Sequence, residues 1–160
     1  GFFGKEKEGL LKLVKELKEN CGSLTEGVVH GDMHLQNIMF VDGEAVLSDF
    51  DRVRKHFALF DAARMMASFS CVGRVETKNI EIFWSEFQKY LQEKDSKWGY
   101  HVLVLAVLED FINLINSEPK SGLIGKKEEI IKQLLKRKNI LATHRLGGEP
   151  PYGLDYRFHC

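Results

Sequence analysis

Near the start of the chain the apolar positions return with helical spacing. Leu10, Leu11, Val14 and Leu17 fall on one side of a 3.6-residue period, with Lys and Glu filling the positions between them. This pattern predicts an amphipathic helix over residues 5–19, ended by Cys21-Gly22. Val28-Val29 then lead into a polar segment, and two short apolar runs follow, Ile38-Met39-Phe40-Val41 and Ala45-Val46-Leu47. Asp42-Gly43 between them suits the positive φ angles of a tight turn, so the two runs predict an antiparallel hairpin. From Asp61 onward the spacing is helical again, over residues 61–70, 78–93, 98–117 and 126–140. Asp61 is placed to cap the first of these helices, and Ser117-Glu118-Pro119 with Ser121-Gly122 marks a break before the last. The expected fold class is α+β, mostly helical, with one small hairpin.

Composition narrows the class without changing that plan. A chain of 160 residues with 44% apolar and 29% charged side chains suits one folded domain. We assign residues 1–146 to it and read 147–160, with Pro150-Pro151 and Gly153, as an irregular tail. Lys plus Arg equals Asp plus Glu, 23 each, which gives no electrostatic reason to expect nucleic acid or an anionic membrane as partner. The basic residues between Lys126 and Lys138 are interrupted by Glu128, Glu129 and a helical apolar set, and read as a solvated helix face. The longest apolar run, Val102 to Leu108, is short against the roughly 20 residues a membrane-spanning helix needs, so no membrane is expected. Three cysteines without metal-ligand spacing, and no secretory leader, predict reduced thiols in a cytoplasm.

The chemistry concentrates in His30-Gly31-Asp32-Met33-His34-Leu35-Gln36-Asn37 and in Asp49-Phe50-Asp51. Phosphoryl transfer to a hydroxyl needs a carboxylate near the hydroxyl proton and oxygen ligands for magnesium on the nucleotide phosphates. Asp32 and Asn37, with four residues between them, have the spacing of a kinase catalytic loop. The predicted hairpin folds Asn37 and Asp49 together across eleven intervening residues, so two hard oxygen ligands meet at one place. Taken singly, Asp32 reads as a loop residue, Asn37 as a turn former, and Asp49 and Asp51 as solvated strand-end charges. A rival metal reading comes from the alternation of His30, Asp32 and His34, which would share one face of a strand. Gly31, and the lack of a further His or Cys cluster in range, argue against it.

His-Gly-Asp-x-His-x-x-Asn, followed by a hydrophobic hairpin and Asp-Phe-Asp, resembles the signature of the aminoglycoside phosphotransferase and choline kinase family. The resemblance implies the C-terminal lobe of a kinase-like fold, its hairpin carrying the catalytic and metal residues. It implies a phosphotransferase that uses ATP and Mg2+ to phosphorylate a hydroxyl of a small-molecule acceptor. Asp32 would be the catalytic base, and Asn37 and Asp49 the magnesium ligands. His34 would act with Asn37 and Asp49 on the nucleotide side, and His30 would brace the loop. Asp51 matches an acidic residue that some members carry after the magnesium aspartate. Asp61, in Asp61-Ala62-Ala63, matches the aspartate that supports the catalytic loop. Ser48 departs from the aliphatic residue usual before the magnesium aspartate.

Such kinases also need a glycine-rich cover for the phosphates and a strand-borne lysine, both from an N-terminal lobe. Residues 1–29 hold no GxGxxG and no such strand. The resemblance therefore covers residues 5–140, and the expected form is truncated or single-lobed, with little activity alone. The alternative is a non-catalytic nucleotide-binding or interaction module, a remnant of such a kinase. The face that would meet the N-terminal lobe leaves apolar residues uncovered, which predicts self-association in its absence. Arg52, Arg54 and Lys55 are expected at the surface, and Arg64 in a helix salt bridge. Glu81, Glu86, Glu109 and Asp110 offer attraction to a cationic acceptor, although solvent-facing helix charges are the commoner use. Trp84, Trp98 and Tyr100 suit either an aromatic wall or the core, and Phe83, Phe87 and Tyr90 suit a buried stripe.

Overall fold

The computed structural model describes residues 1–70, 75–138 and 140–141. The expected tail, 147–160, lies outside the described residues, as do Cys71 and Cys160. Helix α1 (Lys7–Asn20) follows a 3-10 turn at Gly4–Glu6. Its buried face is Leu10, Leu13 and Leu17, while Leu11 is exposed. Positions i, i+3 and i+7 are the ones that align on a helix, so Leu13 takes the place the apolar pattern gave to Leu11.

Two antiparallel ribbons come next. Strand β1 (Glu26–Val29) pairs with β4 (Arg54–Phe57), aligning Val28 with Lys55 and Val29 with Arg54. Strand β2 (Ile38–Val41) pairs with β3 (Glu44–Leu47) as expected, and Asp42 and Gly43 turn the chain at φ 52° and 84°. The β1–β4 ribbon encloses the β2–β3 hairpin in sequence and so returns the chain beside its own entry point.

The remainder is helical: α2 (Phe60–Ser68), α3 (Thr77–Phe87), a short α4 (Glu93–Ser96), α5 (Gly99–Ser117) and α6 (Leu123–Lys136). The single helix expected over 78–93 is therefore interrupted, by a 3-10 turn at Gln88–Tyr90 and an extended Leu91. Helix α5 is the hub, packed by α2, α6 and α1. It is long and apolar enough to cross a membrane by length and composition. Its Val102, Leu103, Val104, Ala106, Val107 and Phe111 are nevertheless buried among those helices, as in the core helix of a folded domain. Trp84 and Trp98 belong to this core, and Tyr100 donates to the Leu134 carbonyl at 3.0 Å while burial pushes its hydroxyl pKa up to about 12. These aromatics do not form a wall for an amine. Phe83 and Phe87 stack with ring centres 5.8 Å apart, but Tyr90 leaves the stripe for solvent. Two links tie helices to the loops that carry the chemistry: buried Asp95 of α4 accepts from the Thr25 amide at 2.9 Å, and Arg54 lies over the Phe60 ring at 5.1 Å.

Candidate active site

The loop between β1 and β2 is held from below by α2. Asp61 does not cap its own helix, whose N-cap is Leu59. Its carboxylate instead accepts from the His30 amide at 2.6 Å and the Gly31 amide at 2.9 Å. One carboxylate thus satisfies two successive backbone donors that have no ladder partner. Asp61→Asn keeps one acceptor oxygen and loses the other with the charge. It should lower unfolding free energy by about 1 to 2 kcal/mol, read as a drop in the urea midpoint; an unchanged midpoint would show that the brace contributes nothing.

Gly31 sits at φ +82°, and a Cβ there would lie 2.2 Å from the Arg52 carbonyl oxygen. The loop therefore passes directly against the chain leaving the hairpin. His30 is buried, and its Nε2 lies 2.9 Å from the Ser48 carbonyl. A carbonyl can only accept, so Nε2 carries the proton, and the ring rests on Phe50 with centres 4.8 Å apart. His30 thus turns toward Ser48 rather than joining Asp32 and His34. Among the described residues no three His, Cys, Asp or Glu gather to hold a metal ion, which leaves the alternating-histidine reading without geometric support.

Asn37 is buried at the foot of β2. Its Nδ2 donates to the Asp32 carbonyl at 2.9 Å, and its own carbonyl accepts from the Ser48 amide at 3.0 Å. The first bond fixes which end of the amide is Nδ2 and leaves Oδ1 as the uncommitted oxygen. The second brings Asn37 opposite Ser48, one residue from Asp49. Asp49 holds φ at 63°, an unusual backbone for a residue with a side chain, and turns the chain out of the ribbon. Asp49 and Asp51 are both exposed, with no carboxylate partner among the described residues. An amide oxygen and an aspartate carboxylate are both hard oxygen donors of the kind that suits a divalent cation. His34 caps the 3-10 turn Leu35–Asn37, accepting from the Gln36 amide through Nδ1 at 3.2 Å.

The surroundings of Asp32 were the least legible part. Its Oδ1 accepts from Arg64 Nη2 at 2.6 Å, and the other η nitrogen of Arg64 pairs with Asp110 on α5. Lys127 of α6 approaches the second Asp110 oxygen at 3.4 Å. Burial works against the Arg64 charge, but Asp110 and Asp32 outweigh it and raise its pKa above the ordinary value. Arg52, although exposed, brings Nε to 3.6 Å from Asp32 Oδ2, and His34 Nε2 stands 3.8 Å from the same oxygen. Arg64 was visible in sequence only as a helix salt-bridge residue, one turn beyond Asp61. Asp110 was visible only as one of the acids considered for a cationic acceptor, and its carboxylate is instead taken by Arg64 and Lys127. Of the acids considered for a cationic acceptor, Glu109 pairs with Arg54 at 3.2 Å and Glu86 with Lys89 at 2.8 Å, so both are already matched.

The model of the APH phosphotransferase enzyme family matches residues 5–93, more than half of the 160. The chain belongs to that family. Those residues include every member of the motif and its Asp61 brace. Among solved structures, the APH-family chain is similar to an amicoumacin kinase, hAmiN, in complex with AMP-PNP, Ca2+ and Ami. The TM-score is 0.56 at 19% identity, over 82% of this chain and 46% of that one, a likeness that shows a kinase-like fold. The chain thus spans less than half the length of that kinase. No curated protein matches it.

Among the described residues, most of the large apolar side chains that remain exposed fall between residues 28 and 53, Val28, Phe40, Val41 and Phe50 among them. They lie on and beside the two ribbons, next to the candidate site, where the sequence reading expected an uncovered face. A cavity of about 610 Å3 elsewhere, lined by Lys12, Glu16, Tyr100 and His101, contains none of the motif residues.

Proposed function

We propose that this chain is the acceptor- and metal-binding part of an ATP-dependent phosphotransferase that moves the γ-phosphoryl group to a hydroxyl of a small molecule. The observation that carries this reading is the joining of Asp32 and Asn37 by the 2.9 Å amide bond, with Asn37 opposite Ser48 and hence beside Asp49. Asp32 Oδ1 is taken by Arg64, which leaves Oδ2 to accept the acceptor's hydroxyl proton. The new bond joins that hydroxyl oxygen to the γ-phosphorus as the bridging bond to ADP breaks. Asn37 Oδ1 and Asp49 would hold Mg2+, which when bound neutralises charge on the nucleotide phosphates. His34 would serve the nucleotide side and Asp51 would supply a further carboxylate for the metal, while His30 and Asp61 brace the loop.

The 46% coverage of the kinase neighbour and the exposed ribbon face support a companion lobe, or a second copy of the chain, over the phosphates. They equally favour a second reading, a nucleotide-binding module that does not turn over. Calorimetric titration with ADP, with and without Mg2+, tests the shared part. We expect binding that needs Mg2+ and that Asp49→Ala weakens about tenfold or more, the loss typical when even a supporting residue of a metal ligand is removed. Equal affinity with and without Mg2+ would sink the reading. Phosphorus NMR with a hydroxyl acceptor then separates enzyme from module.

A further inference from the structure

The structure assigns Arg64 a function of its own: it is the positioning residue that fixes the orientation of the Asp32 carboxylate, occupying one oxygen and leaving the other for the acceptor, with Asp110 as its anchor on α5. This rests on the phosphotransferase reading only for the identity of Asp32 as the acceptor-facing carboxylate.

Arg64 is 11% exposed and Asp32 14%, so the pair sits below the surface on which a substrate would land. The guanidinium is planar and rigid, and its two η nitrogens reach two different carboxylates, Asp32 at 2.6 Å and Asp110. A group held at both ends sets the separation of the ends, so the Asp32 side chain is registered against α5 and not only against its own loop. The guanidinium is oriented by the two carboxylates it spans.

The result at Asp32 is asymmetric. Oδ1 has a short charge-assisted bond, while Oδ2 has only Arg52 at 3.6 Å and His34 at 3.8 Å, both beyond hydrogen-bond reach. Without Arg64 only the longer approaches of Arg52 and His34 remain on the carboxylate, too weak to hold the side chain in one rotamer. A lysine supplies the charge but not two divergent donors in one plane, so it cannot bridge Asp32 and Asp110 together. Asp110 in turn has Lys127 of α6 on its other oxygen at 3.4 Å, which couples the orientation of Asp32 to the packing of α5 on α6.

Three-bond couplings from the Asp32 carboxyl carbon to its own backbone nitrogen and carbonyl carbon, measured by NMR on the full chain, report the rotamer directly and need no turnover. We expect one rotamer in the native chain, averaging in Arg64→Met, and partial averaging in Asp110→Asn, where Arg64 stays but its anchor is weakened. Asp110→Asn also covers the case in which Arg64→Met does not fold. Arg64→Lys should restore the folded spectrum without restoring the single rotamer. A single Asp32 rotamer in every folded variant, or averaging already in the native chain, would overturn the assignment.

Where phosphoryl transfer is measured, the variants should lower kcat tenfold to a hundredfold at unchanged KM for ATP. A parallel loss of both, tracking the melting temperature, would mark a purely structural residue. If Asp32→Asn left turnover intact, the phosphotransferase reading would fail while the coupling measurement still decided the clamp.

Discussion

Asp32→Asn is expected to lower phosphoryl turnover by about two to four orders of magnitude, the usual contribution of a positioned general base, while nucleotide affinity stays within twofold. The substitution is nearly isosteric. Arg64 still finds an amide oxygen in place of Oδ1, so the loop keeps its shape, and the 2.9 Å bond from Asn37 goes to the backbone carbonyl of residue 32, which the change does not touch. What disappears is the acceptor character of Oδ2. An amide nitrogen there presents hydrogens to the incoming hydroxyl and can take no proton from it. The two parts of the result must appear together. Turnover within a few-fold of native would remove Asp32 from the reaction, and a large loss of Mg·ADP affinity would mean that the carboxylate holds the metal rather than the acceptor. Turnover is measured with the chain joined to a phosphate-covering lobe, and Mg·ADP affinity on either form.

Gly31→Ala should be the most damaging single methyl in the loop. At φ +82° any side chain is strained by about 1 to 2 kcal/mol. The added carbon would also lie 2.2 Å from the Arg52 carbonyl oxygen, which is backbone and cannot rotate away. Overpacking of that kind costs about 1 to 3 kcal/mol more. Together these should lower the melting temperature by about 5 to 15 °C for a domain of this size. The strain is local, and relief requires moving either the His30–Asp32 segment or residues 51–53. Either movement separates Arg52 from Asp32, and movement of the His30–Asp32 segment also loosens the two amide bonds to Asp61. Turnover and Mg·ADP affinity should therefore fall together, in contrast to Asp32→Asn. A melting temperature within about 2 °C of native would show that the loop yields without cost.

The parts of this molecule that were legible in sequence are those in which local pattern and local geometry coincide. Asp42-Gly43 suits positive φ at both positions, so the β2–β3 hairpin, which sets Asn37 opposite Ser48, was legible in the sequence. The second ribbon could not. Arg54-Lys55-His56-Phe57 has no apolar alternation, and it becomes a strand because β1 needs a partner and Phe60 supplies a surface, with the His56 ring 4.0 Å from its own. Tertiary context decides such strands. The break after Phe87 has no glycine or proline to announce it. Asp61 was read from local pattern as a helix cap and from the family resemblance as the support of the catalytic loop; its carboxylate does not cap, and serves amides thirty residues earlier in the chain. The Arg64 contacts to Asp32 and Asp110 lie beyond local reasoning for the same reason, since 32 and 46 residues separate the partners.

Asp61 and Arg64 stand one turn apart on α2, so a single short helix both holds the backbone of the loop and aims its carboxylate. That arrangement makes the site intolerant of length changes in one place and indifferent to them in another. An extra residue between Phe57 and Phe60 would rotate α2 by about 100° and withdraw both contacts at once. An extra residue at the Asp42-Gly43 turn would lengthen an exposed loop and leave the Asn37–Ser48 pairing where it is. Lineages that diverge by insertion and deletion should accordingly vary at the hairpin tip and keep the spacing from β4 into α2 fixed.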